Sequence, residues 1–268
     1  MIRTLATAVL SFSMLGVLTG CSLFGGDDDG PRLEGERVSV LEMQSRLEPD
    51  DVTLDSEGFT APDPWDNDYW PQAGGYPAHA MQNLKFTSKK PERQWSADIG
   101  TGSDYGVPIT AQPVVYDDFV YTQDTSSRVS AFDIASGKRE WRTDLIESDD
   151  ENTIPGGVGV SGGVVYATTG QNEAVALNAQ TGKVKWRTKL PDAARSAPTI
   201  QDEQVFITTL ANNTLALDTQ TGEINWQHQG LSAKNGIIGT ASPAANSDIV
   251  VPAYSSGEIY ALRTANGS

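Results

Sequence analysis

Short runs rich in Val, Ile, Thr, Tyr and Phe, separated by turn-forming residues, fill the chain from residue 110 onward. They fall into groups. The first holds 110–115, 119–123, 128–133 and 139–143; the second opens a strand at 160 and continues with 164–169, 174–178 and 184–187. The third holds 197–200, 204–209, 214–218 and 224–228, and the fourth 241–244, 249–254 and 258–262. β-Branched and aromatic residues favour pleated, half-buried backbone, so each run predicts a strand. No helical periodicity stands beside them after residue 105. The pattern predicts an all-β chain built from groups of four strands.

The groups share one motif across their third and fourth strands. It reads Ala131-Phe-Asp133-Ile-Ala-Ser136-Gly137, then Trp141 four residues on. It recurs as Ala176-Leu-Asn178-Ala-Gln-Thr181-Gly182 with Trp186, and as Ala216-Leu-Asp218-Thr-Gln-Thr221-Gly222 with Trp226. A fourth copy, Ala261-Leu-Arg263-Thr-Ala-Asn266-Gly267, has no Trp after it. The glycines are 45, 40 and 45 residues apart. Self-similarity at this period marks an array of supersecondary units. The expected fold is a β-propeller of four-stranded blades, about four of them, forming a truncated part of a larger ring; the alternative is a small closed ring in which the Trp95 strand completes the blade ending at Leu262. Gly supplies the positive-φ turn, and Asp or Asn with the following Thr or Ser bonds its free amides. Ala leaves room on a crowded face, and each Trp docks on the neighbouring blade. Trp95 precedes Trp141 by 46 residues, so 94–99 is expected to be a final blade strand placed ahead of the other blades.

Charge changes the picture only upstream. The net charge is -16, but residues 26–70 hold 14 Asp or Glu against Arg32, Arg37 and Arg46. Nucleic acid is therefore not an expected partner, because phosphate binding needs clustered Lys and Arg. Residues 21–69 are expected to be an acidic tether with little fixed structure, and the blades to occupy 70–268, incomplete at the C-terminus. Trp70-Pro71-Gln72-Ala-Gly74-Gly75 marks the start of the folded body. Cys21 is the only cysteine, and His79 and His228 are the only histidines. No disulfide within the chain and no thiolate metal cluster can form, and no metal site is expected. Gly156-Gly157-Val-Gly159 and Ser161-Gly162-Gly163 precede strands rather than a helix, so they are expected to be turns and not a phosphate cradle.

Residues 1–20 have an Arg3 n-region and an apolar stretch from Leu5 to Leu18, the pattern of an export signal. Leu18-Thr19-Gly20-Cys21 resembles the lipobox of bacterial lipoproteins, which makes Cys21 the expected lipid-attachment residue. Stable anchoring takes more than one acyl chain, and a lipoprotein of this kind would carry three. Ser22 in place of Asp implies the outer membrane, on its periplasmic face.

Lipobox, acidic tether, the Trp70-Pro71-Gln72-x-Gly74-Gly75 segment and the tryptophan-docking repeats together resemble the BamB family, propeller lipoproteins of the outer-membrane β-barrel assembly machinery. The resemblance implies a non-catalytic scaffold that binds POTRA domains of the barrel-inserting subunit and assists outer-membrane protein folding and insertion. A family loop with Arg followed by Ser-Ala-Pro carries partner contacts. Arg195-Ser196-Ala197-Pro198 matches it, with Ala193 and Ala194 where the family has aliphatic residues. Arg195 is thus the expected partner-binding residue. Quinoprotein dehydrogenases share the repeats, but their site holds a vicinal Cys pair, Ca²⁺ with carboxylate and amide ligands, and an Asp base. The Cys pair is absent here, and no cofactor or small-molecule substrate is expected. The alternatives are a lipoprotein propeller for a small ligand or cell-wall component, or a relative of those dehydrogenases.

Overall fold

The computed structural model describes residues 61–86, 90–146, 154–232 and 239–268. The export signal, Cys21 and most of the tether lie outside the described residues. What is described is one compact unit, 61–268, with strands and no helix.

Four antiparallel sheets carry the fold. The first runs in the order β1 (Val114–Tyr116), β2 (Phe119–Gln123), β3 (Arg128–Asp133) and β4 (Arg139–Asp144). The second holds β5 (Gly157–Ser161), β6 (Val164–Thr168), β7 (Glu173–Asn178) and β8 (Val184–Lys189). The third holds β9 (Thr199–Gln201), β10 (Gln204–Thr208), β11 (Asn213–Asp218) and β12 (Ile224–Gln229). The fourth has three strands, β13 (Ala244–Ala245), β14 (Ile249–Val251) and β15 (Leu262–Arg263). Each is a simple up-and-down meander, the construction of a propeller blade.

The blades stack face to face, and the cores lie between them. Along β6, Val165 and Ala167 join a cluster with Val114, Tyr121 and Val129 of the first blade. Val164 and Tyr166 point the other way, into a cluster with Ile200, Val205 and Ile207 of the third. Both faces of a middle blade are buried, which is why its strands read as continuous apolar runs rather than alternating ones. A third cluster joins Phe206 and Ala216 to Ala245, Val250 and Leu262.

The motif residues form one joint, repeated. Ala131, Ala176 and Ala216 each sit directly opposite the Trp of their own blade, and a register shift follows each Ala. The Gly182 backbone has φ +69°, and an ideal Cβ there would meet Trp141 at 2.5 Å. Gly137, Gly222 and Gly267 stand in the same relation to Trp95, Trp186 and Trp226. The indole Nε1–H groups of Trp95, Trp141, Trp186 and Trp226 donate to the carbonyls of Ile134, Ala179, Thr219 and Thr264, at 2.7–2.9 Å. Under the last three lie Tyr121, Tyr166 and Phe206. Two residues beyond Trp141 and Trp186, the hydroxyls of Thr143 and Thr188 donate to the Gly182 and Gly222 carbonyls at 2.7 Å. The third copy has His228 at that position, and it turns to Tyr254 instead.

The Asp of the motif closes its own turn. Asp218 Oδ1 accepts from the amides of Gln220 and Thr221 at 2.8 and 2.7 Å and from the Thr221 hydroxyl. These bonds, the Thr221 amide foremost, hold its carboxyl below its ordinary value of 3.8. A depressed carboxyl pKa means stability that is full above the ordinary value and fades as pH falls through the depressed one. Asn178 fills the same place in the second blade and does not titrate. Asp218→Asn should therefore keep the fold at neutral pH and flatten the acid limb of the stability curve. Urea midpoints measured from about pH 7 down to about pH 2 test this; an unchanged acid limb would show that the carboxylate's bonds contribute nothing.

Three expectations are corrected in detail. Residues 110–113 are not part of the first inner strand, which begins at Val114. The 94–99 segment forms no strand, since no described backbone pairs with it, although Trp95 docks like the others. Gly157 and Gly159 are not turn residues: they lie within β5, the inner strand of the second blade. A Cβ on Gly159 would fall 2.6 Å from Ile200 Cδ1 and 2.9 Å from the Pro198 carbonyl oxygen. These glycines exist for close approach of the third blade, not for a bend.

Candidate functional site

The segment from Trp70 to Pro77 ties the four inner strands together. Trp70 exchanges backbone hydrogen bonds with Val115 at 2.8 and 2.7 Å. The Val160 amide donates to the Pro71 carbonyl, and the Ala245 amide to the Pro77 carbonyl, both at 2.8 Å. Buried Gln72 completes the set with its side chain, donating to the Ile200 carbonyl and accepting from the Ile200 amide, each at 2.8 Å. Val115, Val160, Ile200 and Ala245 are spaced by 45, 40 and 45 residues, the steps of the motif glycines. One segment therefore bonds the equivalent position of every blade and marks the axis of the fold.

Five residues ahead of each of those positions lie Thr110, Pro155, Arg195 and Thr240. These residues form a rim. The Thr110 hydroxyl donates to the Pro155 carbonyl at 2.8 Å. A Cβ on Gly239 would lie 3.8 Å from Thr110 Cγ2 and 4.0 Å from the Arg195 carbonyl oxygen, so the loops of the fourth, first and third blades meet. Inside the rim is a cavity of about 660 Å³, lined from the axial segment by Ala73, Gly74 and His79 and from the blades by residues including Gln112, Gly156, Arg195 and Thr240.

Among the described residues of that lining, Arg195 carries the only formal charge. It is half-buried, and its guanidinium has no hydrogen bond or ion pair among the described residues. His79 Nε2 and Thr240 Oγ1 are shielded from solvent and unpartnered there. Burial lowers the His79 pKa, so the ring is neutral at pH 7. Buried polar atoms are normally paired; Thr122, Gln123 and Thr208 elsewhere in the fold hold unpartnered buried atoms of the same kind.

The remaining site residues fall elsewhere. Ala131, Gly137, Trp141, Ala176, Gly182, Trp186, Ala216, Gly222, Trp226 and Gly267 belong to the joints between blades. Sequence reasoning missed Gln72, His79 and Thr240. The signal for Thr240 was present, because it is the repeat equivalent of Arg195. The described residues that line the axial cavity include no Asp or Glu. Among the described residues no group of three His, Cys, Asp or Glu is placed to hold a metal ion.

Blades of this construction, joined by indoles docked on glycine turns, define a quinoprotein-type propeller. A solved structure of BamB from Moraxella catarrhalis aligns over 59% of this chain and 46% of its own, with TM-score 0.51 and 24% identity, which supports the fold. The family model described as outer membrane protein assembly factor BamB matches residues 53–156 and 127–268. The chain belongs to that family. The BamB of Escherichia coli K12 is 33% identical over 115 residues, 41% of this chain and 29% of that protein. Quinoprotein alcohol dehydrogenase PedH of Pseudomonas putida is 35% identical over 102 residues, 37% of this chain and 17% of the enzyme. The matched stretch is well under half the length of either relative.

Proposed function

We propose that this chain is a non-catalytic scaffold lipoprotein of the outer-membrane β-barrel assembly machinery. It is held at the periplasmic face of the outer membrane through lipidated Cys21, binds POTRA domains of the barrel-inserting subunit, and assists folding and insertion of outer-membrane proteins. The observation that supports this most is Arg195, a guanidinium without a partner among the described residues, on the axial rim of a BamB-family propeller. Such a group offers a planar fork of donors to a partner carboxylate or carbonyl. The blades behind it are locked by repeated joints, so the loops present a fixed surface.

The catalytic reading draws on the PedH match. It is weakened by the sequence, in which the one cysteine, Cys21, leaves no vicinal Cys pair.

Arg195→Glu is expected to reduce co-purification with the barrel-inserting subunit by at least about tenfold while tryptophan fluorescence and thermal midpoint stay unchanged. A reversed charge costs more than a lost one, because it repels the partner's acid. Equal recovery of the complex with this variant would remove Arg195 from the interface.

A further inference from the structure

The loop that carries Arg195 offers a charge but little apolar surface. Ala193 is half-buried and Ala194 fully buried. The centre of a protein interface is mostly apolar, and Tyr, Trp and Arg carry most of its binding energy. Tyr105 and Leu231 supply what the loop lacks: Tyr105 is fully exposed and Leu231 is 65% exposed.

Both lie at the same end of the blades as Arg195. Ser127, Asn172 and Asn212 are repeat equivalents, with φ of +57°, +61° and +61°, in the turns between the second and third strands of the first three blades. The Asn172 carbonyl accepts from the Leu190 amide at 2.7 Å, where the Arg195 loop begins. The Asn212 carbonyl accepts from the Gly230 amide at 2.8 Å, and its side-chain amide donates to the Leu231 carbonyl at 2.6 Å. In the first blade the Thr125 hydroxyl, from the same turn as Ser127, donates to the Gly102 carbonyl at 2.9 Å, at the base of the Tyr105 hairpin. Five residues reach at most about 18 Å, so Tyr105 stays near Thr110 on the rim. Neither side chain hangs on a loose loop. Asp104 and Val107 exchange backbone bonds at 3.1 and 3.0 Å around a Gly106 turn at φ +80°, and the Ile109 amide donates to the Ser103 hydroxyl at 2.9 Å. The Leu231 amide donates to Glu258 Oε2 at 2.9 Å. A backbone fixed in advance loses little entropy on binding.

We propose that Tyr105 and Leu231 are the apolar anchors of a protein interface whose polar contact is Arg195. The occupant is a folded domain with an apolar pocket on each side of an acidic group. One partner face of roughly 800 Å², the standard size, is broad enough to meet all three. The inference rests on the assembly role and gives the chemistry of the partner's surface.

The test is co-purification of the full chain with the barrel-inserting subunit, read beside the thermal midpoint. Tyr105→Ala and Leu231→Ala should each lower recovery about tenfold, and Tyr105→Phe, which keeps the ring, should retain most of it. Ile224 is also exposed but stands beside the Gly222 motif turn, at the opposite end of its blade, so Ile224→Ala should change nothing. Midpoints should hold, because side chains this exposed contribute little packing. Loss of the complex with Arg195→Glu but full recovery with both anchor variants would overturn the anchors and leave the assembly role standing. No recovery with the unmodified chain would remove the assembly role and the anchors with it. The anchors also fall if Ile224→Ala loses as much, or if their losses come only with lowered midpoints. Anchor variants that keep the subunit but no longer hold a urea-denatured barrel protein would make the surface a client site instead, against the proposal.

Discussion

Trp186→Ala is expected to lower the unfolding free energy by about 3–5 kcal/mol, the usual cost of emptying a large aromatic site. The indole of Trp186 covers the Gly222 turn of the next blade, packs beside Tyr166 and donates to the Thr219 carbonyl at 2.9 Å. Removal opens a cavity in the second interblade cluster and strips a partner from Thr219. Trp186→Phe separates these effects: it restores much of the ring volume but not the N–H, and should cost about 1 kcal/mol for the bond. Trp95→Ala should cost less than Trp186→Ala, because Trp95 docks on the first blade from a segment with no sheet of its own. In a stacked array each unit contacts only its neighbours. Trp186→Ala should accordingly broaden the urea transition as the second and third blades uncouple. A sharp, unshifted transition would mean that the joint does not carry the stability.

The same local logic explains what could be read in advance. The joint repeats because each blade meets the same steric problem, so Ala, Asp or Asn, Gly and Trp recur at fixed spacing and gave both fold and blade count. The threonines two residues past Trp141 and Trp186 were equally visible but break at His228, which hid the rule. The axis was harder. Gln72 and Ile200 are 128 residues apart, and nothing near either announces the pairing. The first inner strand was overextended at 110–113, where Thr110 suggested a strand and Pro113, which cannot donate to a ladder, spoke against one. Here the backbone leaves the sheet to build the rim. Arg195 was reached through family resemblance alone. Its residue type says nothing of a cavity, which exists only once four loops and the axial segment meet.

Gly156→Ala is expected to destabilise the chain by about 3 kcal/mol, at the upper end for adding a single methyl to a packed site. An ideal Cβ at that position falls 2.2 Å from the Ser196 carbonyl oxygen and 2.3 Å from Thr168 Oγ1. The Thr168 hydroxyl itself donates to that carbonyl at 2.9 Å. The obstruction is backbone plus a side chain already committed to it, so neither can swing aside as a flexible chain end would. Relief requires the 195–198 loop to move away from the second blade. Ser196 also donates its hydroxyl to the Thr208 carbonyl at 3.1 Å, so the shift breaks that tie as well. The consequence reaches function: Arg195 is adjacent to Ser196, and its guanidinium would leave the rim although the residue is unchanged. Gly156→Ala should thus weaken the partner complex as Arg195→Glu does, but with a lowered thermal midpoint. The paired measurement of midpoint and co-purification distinguishes them. A Gly156→Ala protein of lowered stability that still held its partner at full strength would show that the complex does not depend on the position of the 195–198 loop.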